Sequence, residues 1–165
     1  MSTELDSLFR RADQQWEAGK LRSAFRLFLR AAKAGNTGCQ INLGYFYADG
    51  IGVKPSREKA LYWYRRAYRR GEVCAASNIG VVFRNEGNLK RALAWFERAA
   101  KLQDGDANLE IAKIYLARND KRNAVHYLRE TRKAESVTEG SEEQAEKLLK
   151  RLGVRFGRRR KRLWR

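Results

Sequence analysis

The chain has 165 residues, 43% of them hydrophobic, and its 36 Lys and Arg against 19 Asp and Glu give a formal net charge of +17. This length predicts one domain with a substantial core, and eighteen aromatic side chains argue against wholesale disorder. No run of about 18 apolar residues exists, which excludes a membrane-spanning helix, and the acidic, polar start predicts no secretory signal. Two cysteines and one histidine exclude a disulfide framework and a four-ligand zinc site.

The positive charge favours anionic partners such as nucleic acid, acidic proteins or anionic lipid. It does not distinguish among them. A heavily solvated basic surface without a partner is the alternative interpretation.

Two small-residue patterns recur along the chain. In the first pattern, an Asn is followed by a small residue and then by an aromatic residue. The small residues are Ala12, Gly44, Gly80 and Ala112, at separations of 32, 36 and 32. The second places alanine before an aromatic or aliphatic residue, at Ala24, Ala60, Ala92 and Ala124, with separations of 36, 32 and 32. A repeat of this length indicates stacked supersecondary units.

One four-residue insertion explains the unequal spacing. It lies within residues 49–56, which hold the only proline and two glycines and therefore form a turn. Apolar residues recur at helical separations, as at Ala60, Tyr64 and Ala67, and no strand-like alternation competes. The small residue of each first helix lets the second helix approach closely, and neighbouring pairs must stack to bury their faces. The prediction is an all-α fold, an α-solenoid of about four helix–turn–helix repeats with a C-terminal capping helix and a basic tail.

The second unit carries a motif of spaced glycines and aromatics. It reads Leu43-Gly44-x-x-Tyr47-x-x-Gly50-x-Gly52-Val53, then Lys59-Ala60-x-x-Trp63-Tyr64-x-x-Ala67-x-x-x-Gly71. This unit resembles a Sel1-like repeat, and the other three units resemble tetratricopeptide repeats. The resemblance covers about residues 5–135. It implies a concave groove, lined by the first helix of each unit, that binds a peptide or a partner helix.

Alignment of the four units with the repeat family gives the residues at the groove positions. They are Asp6, Phe9, Asp13, Trp16 and Glu17 in unit one; Ile41 and Tyr45 in unit two; Ser77, Val81, Arg84 and Asn85 in unit three; and Leu109, Lys113 and Leu116 in unit four. The groove is then acidic, apolar and basic in turn, which suits an amphipathic segment with charged ends. Packing of the apolar members against the final helix or a second copy is the alternative. A clamp for a terminal carboxylate is disfavoured, because Tyr45 and Asp106 occupy the positions where it needs Asn and Lys.

The repeats are followed by a helix and a basic tail. Ser141 and Gln144 have the form of a capping box, and Leu148 and Leu152 continue an apolar stripe, so we expect a helix over about 142–152 that ends at Gly153. Residues 1–152 are thus predicted to be the repeat domain with its capping helix, and residues 153–165 a basic, flexible tail. Nine basic residues and no acidic ones lie between Lys150 and Arg165.

Two basic groups are candidate anion-binding residues. One is Arg158, Arg159, Arg160, Lys161 and Arg162 in the tail, beside the aromatic Phe156 and Trp164; the other is Arg65, Arg66, Arg69 and Arg70 in the second helix of unit two. The tail contacts nucleic acid, an anionic membrane surface or an acidic protein, or is simply solvated. In an organism with a nucleus, the basic tail would also match a nuclear localisation signal. The second group, with Arg22, Arg26 and Arg30 of unit one, forms either a phosphate-tracking ridge or a solvated face.

No catalytic constellation is evident. His126 is the only histidine and has no nucleophile partner motif, while Cys39 and Cys74 are expected to be reduced, small packing residues. We therefore expect a cytoplasmic, non-enzymatic adaptor without cofactors that binds a protein or peptide through the groove. A nucleic-acid-associated module, contacting RNA or DNA through the tail and the basic ridge, is the alternative function, and an anionic membrane is a weaker candidate partner. No small-molecule substrate is expected.

Overall fold

The computed structural model describes residues 2–155, and the side chains of residues 4–155. Within this range the fold is all-α. Its nine helices are α1 (Ser2–Glu17), α2 (Leu21–Lys33), α3 (Thr37–Asp49), α4 (Arg57–Tyr68), α5 (Val73–Asn85), α6 (Leu89–Lys101), α7 (Gly105–Ala117), α8 (Lys121–Lys133) and α9 (Glu139–Arg151). The predicted fold class, an α-solenoid of helix pairs with a terminal helix, is confirmed.

The described residues divide into two compact units, one that ends at Gly87 and one that begins at Asn88. In the first, α1 packs on α2, α2 on α3, α3 on α4 and α4 on α5. In the second, α6 packs on α7, α7 on α8, and α9 on both α7 and α8. Each helix thus buries its apolar face against its neighbours along the chain, as expected for stacked repeats.

Aromatic side chains fill the core of the first unit. Phe28 and Phe46 are fully buried, and the Trp16 ring meets both edge-on at centroid distances of 5.9 and 5.2 Å. Each such edge-to-face pair contributes about 0.5–1.5 kcal/mol beyond the burial of its area. Ala24 and Ala60, the predicted small positions of the second helices, have no exposed surface. Small and aromatic residues therefore alternate across the helix contacts, as the sequence pattern predicts.

Gly44 shows why the first helix of a unit needs a small residue. A Cβ atom at this position would lie 2.3 Å from Cε1 of Tyr64 on α4. The Tyr64 side chain is only 3% exposed, so a shift of its ring must disturb the packing around it. The close approach of α3 and α4 therefore depends on the missing side chain of Gly44.

The insertion between α3 and α4 forms a turn, as predicted. Gly50 ends α3 in the left-handed conformation, with φ of 72°. At the other end of the turn, the Ser56 hydroxyl accepts a hydrogen bond from the Lys59 backbone N–H at 3.4 Å and caps α4. The Ser56 backbone N–H donates to the Tyr47 carbonyl at 2.8 Å, which ties the end of the turn back to α3.

The final helix begins earlier than predicted. Its N-cap is Thr138, whose hydroxyl accepts from the Ser141 backbone N–H at 3.3 Å, so Ser141 is not the cap. Asp106 of α7 explains the shift. One of its carboxylate oxygens accepts from the Thr138 backbone N–H at 3.0 Å and from the Thr138 hydroxyl at 2.9 Å. This pair of bonds anchors the start of α9 to α7.

The predicted covering of the last repeat by α9 is confirmed. Leu149 and Ala145 of α9 are fully buried together with Leu128 of α8, and Leu109 of α7 is 2% exposed in the same cluster. The prediction that Leu109 lines the groove is therefore wrong, because α9 covers it. Gly153 has φ of 72° and follows the last turn of α9, as predicted.

The remaining residues of the basic tail lie outside the part that the structure describes. They include the candidate anion-binding residues Arg158, Arg159, Arg160, Lys161 and Arg162. Between residues 2 and 155, no helix is long and apolar enough to cross a membrane.

Candidate partner-binding groove

Two predicted groove residues from neighbouring repeats lie side by side in the first unit. The ring centroids of Trp16 on α1 and Tyr45 on α3 are 6.0 Å apart. Trp16 is held by its contacts with the buried Phe28 and Phe46, whereas Tyr45 is 43% exposed. An exposed aromatic ring on a rigid support is a common anchor in protein interfaces.

A cavity of about 290 Å³ adjoins Tyr45. Tyr45, Ala48 and Asp49 line it from α3, Tyr64 lines it from α4, and four residues of α5 line it from the other side: Asn78, Val81, Val82 and Asn85. Arg57 and Glu86, at the start of α4 and just after α5, complete the wall. The cavity thus combines apolar walls with a few polar groups, which is the usual composition of a binding site.

Tyr64 is the most buried of the polar residues that line the cavity, at 3% exposed. Burial raises the pKa of Tyr64, and the nearby Asp49 carboxylate and Tyr45 raise it further. The phenol therefore stays protonated and neutral throughout the physiological pH range. Asp49 itself forms no ion pair with any residue from 4 to 155.

The positive charge at the cavity is compensated. The Arg57 guanidinium pairs with the Glu86 carboxylate and lies over the Phe83 ring, 5.8 Å from its centroid. These contacts hold the side chain of Arg57 against α5. The three ionised groups of the cavity wall, Arg57, Glu86 and Asp49, therefore leave it with a formal charge of −1.

The first unit also contains the predicted groove residues Asp13, Glu17, Arg84 and Asn85. Asp13 of α1 lies near Cys39 of α3: burial first, and then the Asp13 charge, raise the pKa of the Cys39 thiol to about 12. Glu17 is exposed at the end of α1. Arg84 donates a hydrogen bond to the Asn85 side-chain oxygen at 3.3 Å, and Asn85 lines the cavity.

Lys113, the groove residue predicted from the fourth repeat, belongs to the other compact unit. It lies on α7, where its ammonium group pairs with Glu110 at 2.8 Å.

Sequence reasoning missed seven residues of the cavity wall: Ala48, Asp49, Arg57, Tyr64, Asn78, Val82 and Glu86. The register of the repeat family does not assign them to the groove. A signal was nonetheless present, because Asp49 directly precedes the inserted turn and Arg57 directly follows it. The inserted turn is therefore flanked by one acidic and one basic residue in the sequence.

Charge is segregated between the two kinds of helix in the first unit. The first helices, α1, α3 and α5, carry five acidic and three basic side chains: Glu4, Asp6, Asp13, Glu17 and Asp49 against Arg10, Arg11 and Arg84. The second helices, α2 and α4, carry eight basic side chains and one acidic one: Arg22, Arg26, Arg30, Lys33, Arg57, Lys59, Arg65 and Arg66 against Glu58. The groove side of the unit is therefore more acidic than the net charge of the chain suggests.

The predicted basic ridge divides into structural and free arginines. Arg66 lies over the Trp63 ring at 5.7 Å and donates to the Tyr62 hydroxyl at 3.2 Å, while Arg70 donates to the Gly35 carbonyl at 2.8 Å and links two repeats. Arg65 and Arg69 are exposed and form no ion pair within residues 4–155. Arg22 and Arg26 of α2 are likewise exposed and form no ion pair among the described residues, whereas Arg30 pairs with Glu4 at 3.5 Å, so the ridge has four arginines available to an anionic partner.

The cysteines and the histidine were predicted to lack a catalytic role. Both cysteines are thiols, but Cys74 is exposed, so the prediction that it is a buried packing residue is wrong; Cys39 is buried as expected. His126 is exposed, with its ring edge-on to Tyr127 at 5.0 Å. Across residues 4–155, no group of three or more His, Cys, Asp or Glu side chains is placed to hold a metal ion.

Two known family models match separate parts of the chain. Residues 20–36 and 38–72 match the Sel1 repeat model, and these residues include α2, α3, the inserted turn and α4. This part of the chain consists of Sel1-like repeats. Residues 80–153 match a second model, described as regulator of microtubule dynamics protein 1-3.

The chain is also similar to two relatives and one solved structure. The Sel1-like chain is 30% identical over 77 residues (47% of it) to a sel1-like repeat-containing protein of Acanthamoeba polyphaga mimivirus. It is 31% identical over 103 residues (58% of it) to chitin synthase regulatory factor 3 of Schizosaccharomyces pombe. The chain spans only 14% and 11% of the length of these two relatives.

The solved structure is a Sel1 repeat protein from Oxalobacter formigenes. It superimposes with a TM-score of 0.63 at 22% identity, covering 76% of this chain and 55% of that one. This likeness concerns the fold. Sel1-like solenoids are generally scaffolds for protein–protein interaction and are typically non-catalytic.

Proposed function

We propose that this Sel1-like protein is a non-enzymatic adaptor that binds a segment of a protein partner along the α1, α3 and α5 face of its first unit. The observation that carries the proposal is the exposed Tyr45 ring, fixed beside Trp16 at the edge of a 290 Å³ cavity. A large aromatic side chain left 43% exposed next to a concave surface is an anchor for a partner.

The charge distribution supports a basic partner segment. Asp13 and Glu17 of α1 and Asp49 of α3 lie on the first helices, which are acidic in total although the chain is strongly basic. Complementary charge increases the rate of association and suppresses binding of acidic competitors.

A matched pair of tyrosines tests the proposal. Full-length protein carrying Tyr45→Ala is compared with Tyr62→Ala, since Tyr62 is 51% exposed in the same unit but does not line the cavity. Partners are captured from native extract after nuclease treatment, and their contacts are mapped by photo-crosslinking from position 45. Loss of an anchor of this kind weakens binding by about 2 kcal/mol, roughly thirtyfold.

The expected result is a crosslinked partner that is lost with Tyr45→Ala and retained with Tyr62→Ala. Equal retention by both variants would refute the groove as the binding surface. Purified microtubules are a direct arm of the same experiment, because residues 80–153 match a model named for regulators of microtubule dynamics.

The second candidate function, contact with RNA or DNA, is favoured by the exposed and unpaired Arg65 and Arg69. Each phosphate contact contributes about one unit to the slope of log affinity against log salt. Full-length protein, the double variant Arg65→Gln/Arg69→Gln and a truncation after Arg155 are titrated with a fluorescent single-stranded oligonucleotide. The truncation keeps Val154, which packs on the α9 cluster. A slope unchanged by both changes would reject this function.

The adaptor is proposed to act in the cytoplasm, where unbridged thiols such as Cys39 and Cys74 remain reduced. Localisation of a tagged full-length chain, with and without residues 156–165, tests this and the nuclear alternative.

A further inference from the structure

The cavity beside Tyr45 presents hydrogen-bond acceptors that the rest of the unit does not use. The Tyr64 hydroxyl has no hydrogen-bond partner between residues 4 and 155, although the residue is only 3% exposed and lines the cavity. The hydroxyl itself keeps some accessible surface on the cavity wall, so it is free to accept a hydrogen bond from a ligand there.

Two further acceptors lie on the same wall. Asp49 supplies a carboxylate, and its negative charge raises the pKa of the Tyr64 phenol. Asn78 supplies an amide oxygen, and its side chain has no hydrogen-bond partner in residues 4–155. Asn85 differs, because its amide oxygen already accepts from Arg84.

The charge of the cavity wall selects the ligand further. The Arg57–Glu86 pair is internally neutral, so the unbalanced charge is that of Asp49. A ligand that excludes water from this carboxylate must itself be positive, because a buried unpaired charge is strongly unfavourable. The exposed ring of Tyr45 offers a π-face for the same cation.

The apolar part of the wall fits a hydrocarbon stem. Ala48 of α3 and Val81 and Val82 of α5 provide it. A flexible alkyl chain that ends in a cation buries its methylenes on such a surface at about 0.8 kcal/mol for each CH₂ group.

We propose that this cavity binds the side-chain ammonium group of a lysine in the partner protein. The inference rests on the proposed function and names the residue that the groove recognises. An ammonium group has three N–H donors on one compact centre, which match the Asp49 carboxylate, the Tyr64 hydroxyl and the Asn78 amide oxygen. A guanidinium group is planar and presents five donors in a fixed fork, which three acceptors on separate helices do not match.

The probe for the experiment is n-butylammonium chloride, which reproduces the lysine side chain. It is titrated into isotope-labelled full-length protein, and the backbone and side-chain amide signals of Tyr45, Asn78 and Asn85 are followed by NMR. The n-butylguanidinium salt, 1-pentanol and sodium chloride at matched ionic strength are the comparison ligands.

Two near-isosteric variants remove one acceptor each, Asp49→Asn and Tyr64→Phe. The second keeps the ring that packs on Gly44. Glu58→Gln is the matched control, because Glu58 is an exposed carboxylate of the same unit that does not line the cavity.

The expected result is a saturable shift of the three amide signals with n-butylammonium. Affinity falls about tenfold in Asp49→Asn, as for the loss of a hydrogen bond to a charged group, by a smaller factor in Tyr64→Phe, and not at all in Glu58→Gln. Absence of saturable shifts in the unmodified protein, equal affinity in Asp49→Asn, or binding of n-butylguanidinium at least as tight would overturn the proposal.

The two proposals fail separately. If Tyr45→Ala abolishes capture of a partner while Asp49→Asn and n-butylammonium leave it unchanged, the groove binds a partner but the lysine site is wrong. If the probe binds as expected and Tyr45→Ala loses no partner, the lysine site stands and the adaptor function fails.

Discussion

Replacement of Gly44 by alanine tests the close packing of α3 on α4. The added Cβ atom would lie 2.3, 2.5 and 2.7 Å from three ring carbons of Tyr64. Favourable carbon–carbon contacts lie near 3.5–4.0 Å, so the ring must move by about 1 Å or more. Tyr64 is 3% exposed and lies against the cavity wall, and movement of its ring disturbs both the core and the candidate lysine site.

The magnitude follows from two opposing effects. Alanine in a helix interior is favoured over glycine by about 1 kcal/mol. Overpacking of a buried contact costs about 1–3 kcal/mol, and three simultaneous close contacts place this site at the upper end. The expected net result is a loss of about 2 kcal/mol in the free energy of unfolding of the first unit.

Gly38 in the same helix is the matched control. A Cβ atom there would meet only Asn36 and Phe9, both at 3.5 Å, which is ordinary contact. Gly38→Ala is therefore expected to raise stability by about 0.5 kcal/mol, mainly by restricting the unfolded chain. The two glycine-to-alanine changes in one helix should have opposite signs.

Urea denaturation and hydrogen exchange measure the effect. A loss of 2 kcal/mol lowers the urea midpoint by about 1 M at a typical slope. Faster exchange should be concentrated in the amides of α3 and α4. If Gly44→Ala is as stable as the parent chain, or if both variants shift in the same direction, the steric argument is wrong.

Three further changes test other parts of the structure. Asp106→Ala removes the acceptor that anchors Thr138, so hydrogen exchange should show that the start of α9 is less stable by about 1 kcal/mol. Asp106→Asn should restore part of this local stability, and unchanged exchange in Asp106→Ala would contradict the anchor. Burial raises the pKa of the Cys39 thiol to about 12 in the folded chain, from 9.0 for an ordinary thiol. The unfolded chain therefore loses this proton at a lower pH, and the stability of the folded state falls as the pH rises above 9. In urea titrations at pH 10.5, Cys39→Ala should abolish about 1–2 kcal/mol of this pH-dependent loss in the free energy of unfolding. If the free energy of unfolding depends on pH equally in both proteins, the argument is wrong. Gln40 is fully buried with its side-chain oxygen unpaired, while its amide donates to the Ala32 carbonyl, which also accepts from backbone N–H groups. Gln40→Met should therefore be neutral or stabilising by about 1 kcal/mol in the same assay, and a clear loss would show that the oxygen has a partner.

Three of the ten residues that line the cavity, Tyr45, Val81 and Asn85, could be placed from the repeat register alone. Trp16 and Tyr45 were predicted to share a groove, and their rings are neighbours. Asn85 was predicted for the same surface and lines the cavity. Register succeeds here because equivalent positions of successive repeats lie on equivalent faces, so residues about one repeat apart meet when the pairs stack.

Register failed where a single side chain reaches outside its repeat. Asp106 was considered only as a poor substitute for a groove lysine, and it instead anchors Thr138 and moves the start of α9. Leu109 occupies a groove position in its own helix but is covered by α9. These outcomes depend on a helix that is not part of the repeat, and no repeat pattern encodes its position.

The sequence by itself determined the helices, their pairing and the nature of their contacts. Burial of apolar area dominates folding, and the spacing of small and aromatic residues records which face of each helix is buried. Tertiary structure alone decided that Asp49 and Arg57, at the two ends of the inserted turn, share one cavity with Tyr64, and that Glu86 neutralises Arg57 there. An ion pair and an unpaired hydroxyl depend on distances between atoms of different helices, and only the packed chain sets those distances.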